Sequence, residues 1–156
     1  MAITASDIKA LRDKTGVGMM ECKKALTEAN GDIEQAIVLL RERGIAAAAK
    51  KASRIAAEGM VYPFCCDQCG VAGIIEVNTE TDFAAKNEKF ADFVKGLSVM
   101  IAKEAPADVD ALVKLAYLDS GLTVEQELNN MILTIGENIK IRRFVRYAAA
   151  ANSVYA

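Results

Sequence analysis

The spacing of the apolar residues changes near residue 59, and this change limits the folds that the chain can adopt. Residues 1–44 carry apolar side chains three and four positions apart, which is the period of an amphipathic helix. Residues 60–65 and 71–77 are instead rich in strand-forming side chains and flank a turn at Asp67-Gln68-Cys69-Gly70, which predicts an antiparallel hairpin. The 156 residues are enough for one domain or two small modules. We therefore predict a helical module followed by a module that contains a sheet.

The first module, residues 1–44, is predicted to contain three short helices. Ser6 is a suitable N-cap for the first helix, which Gly16-Val17-Gly18 ends. The second helix stops at Asn30-Gly31, because glycine adopts the left-handed cap conformation readily. Asp32 caps the third helix, and Gly44 closes it. Three short helices joined by tight glycine turns predict a small bundle of the size of ubiquitin-associated folds.

Residues 45–58, IAAAAKKASRIAAE, are predicted to form a helical linker. Alanine has the highest helix propensity but little surface to bury, so this segment is expected to make few contacts on either side. We interpret it as a solvated spacer, because propensity alone orders isolated helices poorly.

The second module, residues 59–156, is predicted to combine the hairpin with three helices and a last strand. Helical spacing returns at Asn87–Lys103, and a shorter helix is predicted at Val109–Ala116. A third helix follows the capping-box pattern Thr123-Val124-Glu125-Gln126. Alternating side chains at Ile139–Tyr147 predict the last strand. The predicted fold class is therefore α+β, with an antiparallel sheet of about three strands covered by helices.

The composition excludes several classes of function. The chain has no histidine, which excludes Ser-His and Cys-His catalysis, histidine metal sites and a histidine pH switch. Its 19 basic and 21 acidic residues give a net charge of −2, which provides no argument for nucleic-acid binding. No apolar run approaches the roughly 20 residues that span a bilayer, and the N-terminus lacks the profile of a signal peptide. We expect a cytosolic protein with reduced thiols.

Three of the four cysteines, Cys65, Cys66 and Cys69, crowd into the predicted hairpin turn and leave three hypotheses open. A zinc knuckle needs four ligands, and only Cys22, in the other module, remains to complete the set. A redox dithiol is expected to open a helix after a strand, whereas this C-x-x-C pattern falls in a turn. The favoured interpretation is that these residues are inert or mildly reactive turn thiols.

The segment Asn78–Asn87, between a strand and a helix, carries a cluster of polar and charged residues. Glu80 and Asp82 have the chemistry of an acid/base pair, but the sequence supplies no nucleophile, oxyanion donor or phosphate loop for them. The simplest interpretation is a helix N-cap at Thr81 or Asp82 with Phe83 as a hydrophobic staple. The alternative is that Asp82 and Phe83 project from a rigid junction as a contact pair, which suits a protein–protein hot spot.

Met19 and Met20 begin the second predicted helix, directly after the Gly-x-Gly turn. Methionine fills core gaps more often than it binds partners, so burial is the default expectation. A bundle this small cannot bury both of two neighbouring residues at a helix start, however. At least one of the two is therefore expected to be exposed.

Several segments together resemble the bacterial elongation factor Ts family. They are LRDKTGVGMMECKKALTEANGDIEQAIVLLRERG (11–44), the alanine- and lysine-containing linker, EVNTETDFAAKNEKF (76–90) and IGENIKIRRF (135–144). They follow the order of the family and cover nearly the whole chain, and the TGVGMM and TDF motifs are specific. The usual family motif has valine where Ala84 stands, a modest change that leaves Asp82 and Phe83 intact.

The resemblance implies a nucleotide exchange factor that performs no covalent chemistry and needs no cofactor. Such a factor promotes GDP release from elongation factor Tu, because it binds the nucleotide-free GTPase more tightly than the GDP form; linkage makes the effect reciprocal. It implies that Phe83 is a wedge that disturbs the region holding Mg²⁺, with Asp82 as its polar partner in the Thr81-Asp82-Phe83 motif. The further partner contacts that it implies are Arg12, Met19, Met20, Lys23 and Ile135.

Members of the family commonly continue with a second core half, so we expect this chain either to dimerise or to be a fragment. The last strand, with Ile139, Ile141, Val145 and Tyr147, favours such association, because it ends in a small apolar tail without an obvious cover. A hypothesis from another class is a docking module that binds its partner through the three-helix bundle without exchange activity. A metal or thiol-redox protein, based on the cysteines, is the third hypothesis.

Overall fold

The computed structural model describes residues 3–66 and 70–149, so residues 67–69 of the predicted turn lie outside it. The elements in chain order are α1 (Ala5–Thr15), α2 (Met19–Glu28), α3 (Ile33–Lys51), β1 (Glu58–Cys66), β2 (Val71–Thr79), α4 (Asp82–Ala85), α5 (Glu88–Glu104), α6 (Val109–Leu112), α7 (Val124–Ile135) and β3 (Lys140–Ala148). Helices combined with a three-stranded antiparallel sheet confirm the α+β class. Among the helices described, none has both the length and the apolarity that a bilayer span requires.

The chain folds into two compact units that do not follow a single division of the sequence. The first unit contains the residues up to Ser53 together with Gln126–Asn138. The second contains the described residues of Arg54–Glu125 together with those from Ile139 to Ala149. Most of α7 therefore belongs to the same unit as the three N-terminal helices.

The first unit has a small core because each of its helices turns one apolar stripe inward. Leu11 of α1, Leu26 of α2 and Leu40 of α3 are almost completely buried in this core. Leu133 of α7 packs against the same cluster. Asp32 caps α3 as predicted, since its carboxylate accepts a hydrogen bond from the backbone N–H of Gln35 at 3.0 Å.

Two helix boundaries in the first unit differ from the prediction. Thr4, not Ser6, caps α1: its hydroxyl accepts the N–H of Asp7, and the Asp7 carboxylate accepts the N–H of Thr4. Helix α3 does not close at Gly44 but continues to Lys51, so the first half of the predicted linker extends that helix. Gly44 is buried, and a Cβ there would lie 3.4 Å from Asn129 of α7. Its role is close packing rather than helix termination.

The second unit confirms the predicted hairpin and places a helix on it. Strands β1 and β2 pair antiparallel from Glu58 opposite Thr79 to Cys66 opposite Val71, and β2 is the central strand of the sheet. Helix α5 packs against β1 and β2. Its buried stripe supplies the largest part of the core: Phe90, Phe93, Val94, Leu97 and Ile101.

A β-bulge changes which side chains of β3 face the core. The pairing of β2 with β3 shifts between Glu76 and Val77. Ile139 and Ile141 are buried. The apolar tail that was expected to lack a cover lies almost wholly outside the described residues. Beyond the bulge, Val145 and Tyr147 are exposed, and only this part of the last strand presents the apolar surface that was expected.

Candidate partner-binding site

The junction between β2 and α4 is a turn whose backbone is held on both sides. The hydroxyl of Thr81 caps α4 by accepting a hydrogen bond from the N–H of Ala84 at 3.3 Å. Thr79 is fully buried at the end of β2 and donates its hydroxyl to the carbonyl oxygen of Thr81 at 2.9 Å. Ala84 is buried beneath the turn. These contacts fix the backbone around Asp82 and Phe83.

Phe83 projects from this turn into solvent, with 82% of its surface exposed. A hydrophobic staple buries its ring, so that interpretation of Phe83 is wrong, whereas capping by Thr81 is confirmed. The two interpretations of the segment are not exclusive, because the residue that caps the helix also fixes the direction of the neighbouring aromatic. An exposed ring on a fixed backbone is preorganised for a protein contact.

The carboxylates of the cluster form two separate ion pairs. Asp82 Oδ2 accepts a hydrogen bond from Lys86 Nζ at 2.7 Å, one helical turn further along the chain. This bond lowers the pKa of the Asp82 carboxyl and raises the pKa of the Lys86 amine. Glu80 Oε1 lies 3.4 Å from a guanidinium nitrogen of Arg54. This arrangement does not support an acid/base pair between Glu80 and Asp82.

In the first unit, Met19, Met20 and Lys23 lie on one exposed face of α2. Lys23 lies four positions after Met19 and three after Met20, and residues with this spacing share a helix face. Met19 is 41% exposed and Met20 is 67% exposed. The expectation that at least one methionine is exposed is confirmed, and the default expectation of burial is wrong for both. Val17 and Cys22 fill the core at this point instead.

Arg12 is exposed in the last turn of α1 and lies near the start of α2. Burial raises the pKa of the Cys22 thiol, and the positive charge of Arg12 opposes part of that rise. Ile135 is half-buried at the end of α7 and belongs to the same unit. The structure thus groups Arg12 with the exposed face of α2, and assigns Thr81, Asp82 and Phe83 to the other unit.

The described cysteines occupy three different environments. Cys22 is a buried thiol, Cys65 is exposed and outside any disulfide, and Cys66 is disulfide-bonded. The expectation that all thiols are reduced is therefore wrong for Cys66, while Cys69 lies outside the described residues. Within residues 3–66 and 70–149, no three His, Cys, Asp or Glu side chains cluster as ligands for a metal ion.

Sequence reasoning missed two residues that shape the turn. The strand propensity of Thr79 explains its place at the end of β2. Only the folded structure shows that its buried hydroxyl donates a hydrogen bond to the carbonyl oxygen of Thr81. Arg54 was assigned to the solvated spacer, yet its guanidinium pairs with Glu80. The sequence shows a cation in the predicted linker and a carboxylate beside the TDF motif. It does not show that they pair, because they lie 26 positions apart and only the folded hairpin brings them together.

Comparison with known proteins matches the chain to one family. The sequence family described as Elongation factor TS matches residues 80–156. The chain is 50% identical to Elongation factor Ts of Syntrophotalea carbinolica over 99% of its own length and 50% of that protein. It is 51% identical to Elongation factor Ts of Thioalkalivibrio sulfidiphilus over 97% of its own length and 51% of that protein. The chain spans about half the length of these curated relatives. Because both matches run over nearly the whole chain at about half identity, the chain belongs to the elongation factor Ts family.

Proposed function

We propose that this chain promotes the release of GDP from elongation factor Tu without covalent chemistry. The exposed ring of Phe83, on a backbone fixed by Thr79 and Thr81, is the observation that carries the proposal. Phe83 serves as the wedge and Asp82 as its polar partner. The chain stabilises the nucleotide-free GTPase relative to its GDP form, and linkage requires that GDP weakens binding of the chain by the same factor.

The first unit supplies docking contacts in this proposal. Arg12, Met19, Met20 and Lys23 combine two positive charges with two adaptable thioethers on one exposed surface, and Ile135 is a weaker contact of the same unit. We infer a ubiquitin-associated-like docking bundle within residues 1–44. Residues 45–58 connect this bundle to a dimerisation-type core within residues 59–156.

The test is the rate at which elongation factor Tu releases a fluorescent GDP analogue when the chain is added. We expect stimulation by the wild type and a loss of about thirtyfold for Phe83→Ala, because truncating a hot-spot residue costs about 2 kcal/mol or more. Val99→Ala, another exposed apolar residue of the second unit, is the matched control and keeps full activity.

Two results would contradict the exchange proposal. Unchanged activity of a folded Phe83→Ala chain rejects the wedge. A wild-type chain that binds elongation factor Tu without accelerating GDP release is instead the docking module considered as the alternative.

We also propose that two copies of the chain associate through the uncovered face of the sheet. Val61, Ile74, Val145 and Tyr147 are between 41% and 61% exposed. Ile74 pairs directly with Val145 on this face, and contiguous apolar surface of this kind usually marks an interface. Sedimentation at micromolar concentration is expected to show a dimer that Val145→Asp dissociates. A strictly monomeric wild type with full exchange activity would show that association is not needed.

We further propose that the chain acts in the cytosol and has no membrane or nucleic-acid partner.

A further inference from the structure

Ile55 and Phe83 are the two most exposed large apolar side chains in the described part of the chain. Ile55 is 85% exposed and Phe83 is 82% exposed, and both belong to the second unit. Single exposed apolar residues are common and need no explanation. Two such residues at one place on a structure form a larger contact surface, so their relative placement decides whether they act together.

The strand register places both residues beyond the same end of the hairpin. Glu58, the first residue of β1, pairs with Thr79, the last residue of β2. Ile55 precedes Glu58 by three residues, and Phe83 follows Thr79 by four. Helix α4, which carries Phe83, also contacts β1. The chain therefore enters and leaves the hairpin at the end that carries α4.

Charged groups link the two segments at this end of the hairpin. Arg54, next to Ile55, lies 3.4 Å from Glu80, three residues before Phe83. The negative charge of Glu58 also acts on Lys86, the partner of Asp82, although Asp82 is the main cause of the raised pKa of Lys86. Surface ion pairs contribute little to stability. The Arg54–Glu80 contact nonetheless shows that the segment before β1 lies next to the turn.

We propose that Ile55 is a second apolar anchor, which binds the same partner protein as Phe83. The inference rests on the proposed function and extends that interface from one apolar side chain to two. The partner surface that fits this corner has an apolar recess for a branched aliphatic side chain, next to the recess that receives the ring. Polar groups between the recesses then face the Arg54–Glu80 pair.

The energetic argument rests on exposure in the free chain. Ile55 is so exposed that its side chain contributes almost no burial to the fold, so its whole hydrophobic gain is available to a complex. Truncation to alanine removes three carbon atoms from such a contact. Because each buried carbon contributes substantially, we expect an affinity loss of about tenfold or more.

The experiment measures the affinity of the full chain for nucleotide-free elongation factor Tu by titration calorimetry. Ile55→Ala is expected to raise Kd about tenfold, and Ile55→Val, which keeps two of the three carbons, only about two- to threefold. Ile45→Ala is the matched control, because it makes the same replacement at an isoleucine that is 60% exposed on α3. The melting temperature of each variant is expected to equal that of the wild type.

Phe83→Ala, measured alongside, separates the two proposals. If Phe83→Ala abolishes stimulated GDP release while Ile55→Ala leaves Kd within twofold of wild type, the anchor role of Ile55 is wrong and the exchange function stands. If Ile45→Ala and Ile55→Ala weaken binding equally, the effect is not specific to this corner and the inference also fails. A wild-type chain that neither binds nor accelerates release overturns both proposals.

Discussion

The two units present their exposed apolar side chains on backbones that are held in different ways. In the second unit, Phe83 lies on a four-residue helix with a side-chain cap, and the buried hydroxyl of Thr79 supports the capping residue. In the first unit, Met19 and Met20 begin a helix whose N-cap is Gly18, which has no side chain to cap the helix. A methionine side chain also adapts its shape more readily than an aromatic ring. The Phe83 turn is therefore suited to impose a shape on a partner, whereas the methionine face is suited to adapt to one.

From this difference we predict how the proposed exchange activity is divided between the units. A contact that is made only when the partner changes shape affects the maximal rate, whereas a contact made equally in every bound state affects only affinity. We expect the turn to contribute in the first way and the methionine face in the second. Variants in the two units can therefore be told apart by the dependence of GDP release on the concentration of the chain.

The largest effect is expected from Gly59→Ala, which disrupts the second unit at the base of the turn. Gly59 has a φ of +139°, and an added Cβ would lie 2.2 Å from the carbonyl oxygen of Val77 and 2.6 Å from the Cα of Asn78. Because backbone atoms cannot yield cheaply, we expect a loss of about 3 kcal/mol in the free energy of unfolding. Denaturant unfolding measures this loss.

Gly18→Ser is the corresponding control in the first unit. A Cβ at Gly18 would meet nothing within 4 Å, and serine is a favourable N-cap, so stability is expected to stay constant or rise slightly. Equal losses for both variants would show that the second unit is not specially constrained at the turn.

The next effect concerns the methionine face. Replacing both Met19 and Met20 by alanine is expected to raise the concentration for half-maximal GDP release about tenfold, because two exposed side chains lose their burial in the complex. The maximal rate is expected to stay unchanged. Val38→Ala, which changes an exposed apolar residue on α3, is the control. A fall in the maximal rate for the methionine variant would contradict the prediction that the first unit affects only affinity.

A smaller effect tests whether the turn must be rigid. Thr79→Val keeps the shape of the buried side chain but removes the donor to the carbonyl of Thr81, which costs about 1 kcal/mol in stability. We expect the maximal rate of GDP release to fall several-fold with little change in half-saturation. Thr79→Ser restores the hydroxyl and should recover the rate; equal rates for the two variants would show that this hydrogen bond does not position Phe83.

Much of this architecture could be predicted from local patterns in the sequence. The hairpin and α5 follow from strand and helix periods, and Asp32 caps α3 where its position indicates. The prediction that α3 ends at Gly44 was wrong. This glycine packs closely against Asn129 of α7, and it does not terminate the helix. The partner elements of a packed glycine are not visible in the sequence around it.

In the candidate site too, features set by local sequence could be predicted and features set by tertiary contacts could not. The cap at Thr81 and the exposure of at least one of the two methionines follow from local rules and limited core volume. The buried support from Thr79 and the pairing of Arg54 with Glu80 depend on contacts between segments that only the folded hairpin brings together. The facing of β3 was mispredicted for a similar reason, because a bulge in the pairing reverses the alternation that the sequence indicates.

The smallest effect concerns an ion pair on the sheet that carries the turn. Glu76 Oε2 accepts a hydrogen bond from Arg143 Nε at 2.8 Å, and this bond lowers the pKa of the Glu76 carboxyl. Because the folded-state pKa lies below the unfolded one, the stabilisation is complete above the ordinary glutamate value of about 4.3 and disappears as the pH falls through the lowered value. Glu76→Gln is therefore expected to lower the urea midpoint slightly at pH 7 and not at a pH below the lowered pKa, relative to wild type. A loss of equal size at both pH values would contradict the ion pair as its cause and point to packing instead.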